Sequence, residues 1–253
     1  FLHIMNRYLL EISYDGLGYS GWQIQPKEKT IQGELQDALS TLMGSNIKLT
    51  GAGRTDTGVH AVKSFAHFDF KQEINYETIK HKLNRFISKK IAIHNIYLVN
   101  HDFHARYSAV SRTYEYWINF RKDPFLINRS FYHLKPMNLK LFNEGCSYII
   151  GEKDFSSFCK SKVDLKNKIC NVTEAVCYSS KNMFVFRIKS NRFLHNMVRS
   201  IVGTLIDFSL EKINQKKICD IINSKDRTKA GSSVPSHGLY LVDVEYPKNS
   251  FNE

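Results

Sequence analysis

Over roughly the first hundred residues the apolar side chains alternate between two repeat lengths, and no other feature of the sequence restricts the fold as much. Tyr8, Leu10, Ile12 and Tyr14 recur at every second position, with Glu11 and Ser13 between them, the pattern of a strand with one buried face. Asp15-Gly16 ends that run in a glycine-rich loop. Ile31, Leu35, Leu39 and Leu42, with Ala38 beside them, follow at helical spacing behind Thr30, a residue type that caps helix N-termini. A short strand is expected near Ile47–Leu49 and a longer one through Ala66, Phe68 and Phe70. Tyr76, Ile79, Leu83, Phe86 and Ile87 return to the helical period, and Ile91, Ile93 and Ile96–Val99 close the unit as a strand. The order β-α-β-β-α-β is that of a ferredoxin-like split βαβ unit.

A second unit begins near Ser111. Tyr114, Tyr116, Ile118 and Phe120 line one strand face. A helix is predicted over Leu139–Ile150, then a lysine-rich polar stretch at Lys160–Lys168. Val172–Tyr178 and Met183–Ile188 read as a strand pair around Ser179–Asn182. Leu194, Met197, Val198, Ile201, Leu205 and Ile206 predict a long amphipathic helix, and Gly238–Tyr246 a final strand. The expected architecture is α+β, in two ferredoxin-like or RRM-like halves with mainly antiparallel sheets. The boundary falls near residue 105, giving domains 1–105 and 106–253.

Charge narrows the partners. Lys and Arg number 36 against 24 acidic residues, a net charge of +12. Such an excess favours a polyanion, because each neutralised phosphate releases counterions; the alternative is a solvated basic surface. The five cysteines, Cys146, Cys159, Cys170, Cys177 and Cys219, are an odd number without a Cys-x-x-Cys pair. That argues against a disulfide framework or zinc ribbon and points to a reducing, cytoplasmic setting. No apolar run approaches the ~18 residues of a membrane span. The first methionine is Met5, and residues 1–4 read as a foreign leader or an upstream extension.

The segment Gly51-Ala52-Gly53-Arg54-Thr55-Asp56-Thr57-Gly58-Val59-His60 sits between two predicted strands. Its three glycines permit a sharp path, so a short side chain can be presented at a sheet edge. The two threonines flanking Asp56 can brace the loop, and an arginine two residues away favours the ionised carboxylate. An ionised, positioned aspartate is a nucleophile or base rather than a proton donor; the alternative is an Asx-turn residue bonded to its own loop.

Gly53–Ala61, which reads Gly-Arg-Thr-Asp-Thr-Gly-Val-His-Ala, resembles the active-site signature of TruA-type pseudouridine synthases. Tyr14-Asp15-Gly16 with Gly21-Trp22-Gln23 is similar to that family's opening strand and loop. Phe103-His104-Ala105-Arg106 and Ser111-Arg112-Thr113-Tyr114-Glu115-Tyr116 look like its mid-chain motifs. Phe193-Leu194-His195-Asn196-Met197-Val198-Arg199, running into Ile201-Val202-Gly203, resembles its long helix; Gly238-Leu239-Tyr240-Leu241 and Tyr246-Pro247 resemble its closing strand. The motifs stand in family order. One departure is the stretch after Asn84, where Phe86-Ile87-Ser88 replaces a usual Leu-Pro step.

The resemblance implies the pseudouridine synthase fold, with its halves joined around a central basic cleft. It implies an isomerase that converts tRNA uridines 38, 39 and 40 to pseudouridine, contacting the anticodon stem-loop and the elbow. It implies a homodimer needing neither metal nor organic cofactor. It assigns the catalytic carboxylate to Asp56, the ring stacked on uracil to Tyr114 and the opposite wall to Leu239. Arg199 would pair with Asp56 and Arg54 would position the nucleotide, although the two arginines could exchange roles. Read as one continuous helix, Arg192, Asn196 and Arg199 fall at i, i+4 and i+7 and form a polar stripe. From local pattern alone, Tyr114 could equally be core packing and Lys160–Lys168 either a phosphate-facing loop or an idle linker.

Two rival classes lack their signatures. A nuclease or phosphotransferase using Asp56 with His60 or His104 wants a second carboxylate or paired histidines, and His60, His67, His101 and His104 match no zinc spacing. An RNA-recognition module would show the RNP1 aromatic pattern, which the sequence lacks. A pseudoenzyme that aids tRNA folding without turnover is the third alternative.

Overall fold

The computed structural model describes residues 5–160, 167–180 and 182–251. The chain divides into two compact units, residues 1–110 with 241–253, and residues 111–240.

The first unit holds β1 (Asn6–Tyr14), α1 (Ile31–Met43), β2 (Thr50–Gly51), β3 (His60–Phe70), α2 (Tyr76–Phe86) and β4 (Ile91–Val99). The strands run β4-β1-β3, antiparallel, with β2 also paired to β3. This is the split βαβ order that the two repeat lengths predict. Tyr8, Leu10, Ile12 and Tyr14 are buried as expected, and so are Leu35 and Leu39 of α1. Leu9, out of phase, is buried too. Its face is covered by an aromatic cluster in which Phe65, Phe103 and Phe251 surround Tyr246, at ring separations of 5.3, 4.9 and 5.7 Å. Hence neither face of this sheet is simply solvated.

Three local differences from the sequence reading have physical causes. The strand expected at Ile47–Leu49 forms at Thr50–Gly51 instead, and Ile47 and Leu49 are buried without ladder pairing. In β4 the apolar phase changes between Ile93 and Ile96 because a bulge at His94 leaves that residue without a partner in the register with β1. On α2 only Leu83 is buried, whereas Phe86 is 57% exposed. The loop lacking the Leu-Pro step is tied from both sides. Asn84 exchanges two 2.8 Å hydrogen bonds with the backbone of Ile93, and the Ser88 amide donates to Glu34 at 2.6 Å.

The second unit holds β5 (Ser111–Asn119), β6 (Phe131–Tyr132), α3 (Leu139–Ser147), β7 (Gly151–Asp154), β8 (Ile169–Ser180), β9 (Met183–Ser190), α4 (Met197–Ser209) and α5 (Gln215–Ser224). The strands run β5-β9-β8-β7, antiparallel, with β6 parallel to β5. Asn143 on α3 repeats the device of Asn84, binding both backbone groups of Cys177 at 2.7 and 2.8 Å. The final strand, β10 (Leu239–Glu245), has its first two residues in this unit and its last five in the other.

The long helix departs most from expectation. α4 starts at Met197, not Leu194, because Asn196 adopts the left-handed conformation at φ +67°. Arg192 and Asn196 therefore lie ahead of the helix, and the predicted Arg192/Asn196/Arg199 stripe does not exist. Nor is α4 amphipathic in the simple sense, since all its residues except Arg199 and Asp207 are buried. The segment leading to β10 covers its outer side. Gly231 N donates to Thr204 Oγ1 at 2.9 Å, and a Cβ on Gly203 would collide with the Ser232 carbonyl. Of the Lys160–Lys168 stretch, residues 161–166 lie outside the described part of the chain.

Candidate active site

The loop between β2 and β3 carries Arg54 and Asp56. Asp56 opens a tight turn in which its carbonyl accepts from the Val59 amide at 3.1 Å, and Gly58, third in the turn, has φ +76°. A type II turn needs that left-handed position, which glycine adopts without steric cost. The Asp56 side chain is half-buried, Arg54 and Thr57 are exposed, and Thr55 is buried. The expectation that both threonines brace the loop holds for Thr55, whose hydroxyl lies 2.9 Å from Tyr14 Oη at the end of β1.

Further ties fix the backbone around this aspartate. Trp22 N donates to the Thr55 carbonyl at 3.0 Å. Gly21, at φ +90°, approaches so closely that a Cβ there would lie 2.6 Å from the same carbonyl. The Trp22 indole packs on Gly51, leaving no room for a side chain, whereas Gly53 faces open space. The three loop glycines are thus not equivalent, since Gly51 makes room for a ring, Gly58 permits a turn and Gly53 has no steric need. At the far end, buried His60 receives the Gly16 amide at Nδ1 (3.2 Å) and sits 3.0 Å from Asp15 Oδ1. The Tyr14-Asp15-Gly16 and Gly21-Trp22 motifs therefore act as a bracket around the Asp56 turn. That mechanical role was not visible in the sequence, because the two segments lie some 40 residues apart from the loop they hold.

The second unit holds Tyr114, Arg199 and Leu239. Tyr114 lies on β5 on the same face as Tyr116 and Ile118. Those two are fully buried, but Tyr114 is half-exposed, its ring edge-on to Phe193 at 5.1 Å. Arg199 Nε donates to the Val234 carbonyl at 2.7 Å, and Val234 N donates back to the Arg199 carbonyl at 3.3 Å. Leu239 is buried at the start of β10. Tyr116, not singled out from the sequence, links these positions. Its hydroxyl donates to the Pro235 carbonyl at 2.7 Å, and its ring lies where a Cβ on Gly238, beside Leu239, would stand 2.8 Å away. Burial raises the Tyr116 phenol far above its ordinary pKa, opposed in part by the Arg199 cation, so it stays protonated and donates that bond. His237 is held below its usual value, first by burial and also by Arg199.

Among the described residues no three His, Cys, Asp or Glu side chains are grouped to hold a metal ion. Burial and the neighbouring Arg7 cation lower His67 to about 4, and its Nδ1 accepts from the Ala105 amide at 3.1 Å. It is a neutral structural histidine. None of the described helices is long and apolar enough to cross a membrane.

A basic α+β chain that presents a half-buried aspartate on a braced glycine turn fits the class of enzymes that act on a polyanion. Comparison with known proteins gives that class its name. The family model described as tRNA pseudouridine synthase matches residues 12–108 and 146–247. The chain belongs to the tRNA pseudouridine synthase family, and is an isomerase acting on tRNA. It is 40% identical over 243 residues to tRNA pseudouridine synthase A of Azobacteroides pseudotrichonymphae, covering 96% of this chain and 98% of that protein. The tRNA pseudouridine synthase A of Parabacteroides distasonis is 41% identical over 250 residues, covering 98% of each. That of Caldicellulosiruptor saccharolyticus is 41% identical over 244 residues, covering 96% of this chain and 100% of its own length.

Proposed function

We propose that this chain converts uridines 38, 39 and 40 of the tRNA anticodon stem-loop to pseudouridine, with Asp56 as its catalytic carboxylate. The reaction breaks the bond from uracil N1 to ribose C1′, turns the freed base and joins C5 to C1′. C5 loses its proton and N1 gains one, so no oxidant or group donor is consumed. Asp56 acts on the nucleotide directly, as nucleophile or base. The observation that carries this reading is the Asp56 turn. Its backbone is held by Gly21, Trp22 and Gly58 and the neighbouring Thr55 hydroxyl by Tyr14, while Asp56 remains half-buried rather than sealed in the core. Such preorganisation is what positioning catalysis requires.

The target must leave its stack, which costs a few kcal/mol and calls for a snug pocket. In this reading Tyr114 stacks on the uracil, Leu239 walls the other side, Arg54 positions the nucleotide and Arg199 supplies a second cation. The half-exposed Tyr114 ring supports its part, since a core tyrosine at that position would be buried like Tyr116. The net charge of +12 suits a tRNA partner. We read residues 1–105 and 106–253 as the domains bearing the aspartate and the stacking residues, and the working form as a cytoplasmic homodimer.

Incubation with tRNA tritiated at uridine C5 tests the reaction, since isomerisation releases the label to water and cleavage or binding does not. Asp56→Asn should abolish release while tRNA affinity is kept, because one carboxylate adds nothing to a cationic footprint. Wild-type protein that binds tRNA without releasing tritium would sink the reading.

A further inference from the structure

Within the first unit lies a cavity of about 240 Å³, lined in part by Trp22, Gln23, Arg54, His104, Arg106 and Tyr107. Asp56 is not among its walls. Its volume is below the roughly 300–1,000 Å³ usual for sites that enclose a whole small molecule, and it suits one flat ring or one anionic group. Its lining is complementary to a nucleotide. Two arginines, Arg54 and Arg106, stand in its wall. A series of ring contacts leads to it, with His67 edge-on to His104 at 4.8 Å and His104 4.4 Å from Tyr107 at a 36° tilt.

Tyr107 itself has no structural reason to be aromatic. It is 76% exposed, so burial contributes little, yet it is held against His104 on one side with the Arg106 guanidinium 5.6 Å from its ring centre. The local backbone is fixed as well. The amides of Arg106 and Tyr107 both donate to His104 Nδ1, at 3.1 and 3.3 Å, and Ala105 N donates to His67. Desolvation and the nearby Arg7 cation keep both histidines below their usual pKa, so these rings touch without charge repulsion between imidazolium groups. A rigid, exposed ring beside arginines is how proteins grip unstacked RNA bases.

We infer that this cavity is a second nucleotide subsite, which takes the nucleotide next to the target uridine. The inference rests on the tRNA reading above. Its base lies on Tyr107, its phosphate meets Arg54 and Arg106, and the exposed Gln23 amide reaches the base edge. Adjacency follows from chain length. Arg54 and Asp56 are two residues apart, and an extended chain spans at most about 7 Å over that interval, the reach of one nucleotide step. Arg54 therefore serves both positions, holding the neighbour's phosphate while Asp56 addresses the uridine.

The test is a coupling cycle on the full chain with an unmodified anticodon stem-loop RNA. Affinity is measured for wild type, Tyr107→Ala and Tyr107→Phe, each with intact RNA and with a single abasic nucleotide on either side of uridine 39. Tyr107→Ala should weaken binding at least about fivefold, the low end of one base–aromatic stack, and Tyr107→Phe should retain it. One of the two abasic RNAs should lose as much against wild type, yet lose nothing further against Tyr107→Ala. Affinity of Tyr107→Ala within twofold of wild type overturns the subsite, as do losses that simply multiply. Because Tyr107 is so exposed, an unchanged melting temperature separates lost contact from lost folding. Tritium release by wild type is read in parallel. Its absence sinks the isomerase reading, whereas absent coupling sinks only the subsite.

Discussion

Replacing Gly21 by alanine tests the claim that the position of Asp56 is set by a remote backbone. Gly21 has φ +90°, and its added Cβ would stand 2.6 Å from the Thr55 carbonyl oxygen. Ordinary contact begins at 3.4 Å, so that oxygen must withdraw by about 0.8 Å, and Asp56 is the next residue. A misplacement near 1 Å can cost on the order of a hundredfold in rate. Stability also falls, by roughly 1–2 kcal/mol for the left-handed conformation and roughly 1–3 kcal/mol for the forced shift. At about 2–4 °C per kcal/mol for a chain of this size, melting should drop by roughly 4–20 °C. Gly44→Ala is the control. Gly44 caps α1 at φ +61° with nothing within 4 Å of its Cβ position, so it bears the conformational cost without the collision. Tritium-release kinetics, tRNA affinity and thermal melting on both variants separate the two terms. Gly21→Ala should lose about a hundredfold in kcat with tRNA affinity unchanged, and Gly44→Ala should lose only stability. A Gly21→Ala enzyme with wild-type kcat would refute the bracket.

Arg199→Ala should lower kcat far more than tRNA affinity, because Arg199 is one cation among 36 but sits beside the Tyr116–Pro235 and Val234 contacts; equal losses in both would reject a catalytic role. His67 makes stability depend on pH. Its folded pKa of about 4 lies below the unfolded value near 6.5, so as pH falls through that window the unfolded chain takes up a proton the folded one refuses, and stability declines. Between pH 7 and 5 wild type should lose about 1–2 kcal/mol more than His67→Gln, read from denaturant titrations; parallel pH profiles would contradict the assignment.

Much of the fold was legible in residue spacing. Tyr8, Leu10, Ile12 and Tyr14 announced β1, and Thr30 with Ile31, Leu35 and Leu39 announced α1, because burial of one face imposes a period on any chain. α5 was not anticipated, because its helical signal, Ile218, Ile221 and Ile222, is diluted by the lysines and asparagines around it. The start of α4 was not legible. The apolar spacing continues from Leu194 through Met197, and nothing local says that Asn196 takes φ +67°. Its side-chain amide bonds Ser200 and Ser233, and the latter is remote in sequence.

The candidate site divides along the same line. Gly53–Ala61 and the other motifs, in their order, were enough to place the chain in its family and to single out Asp56, since residue identity is a one-dimensional property. Which glycine makes room and which turns the chain, and that Tyr14, Gly21 and Trp22 clamp the loop, came only from the folded molecule. So did the contrast between buried Tyr116 and half-exposed Tyr114, two residues apart on one strand face. Periodicity says which side of a strand an atom occupies, but how deeply it lies depends on what distant segments cover it, and those contacts have no signature in the order of the residues.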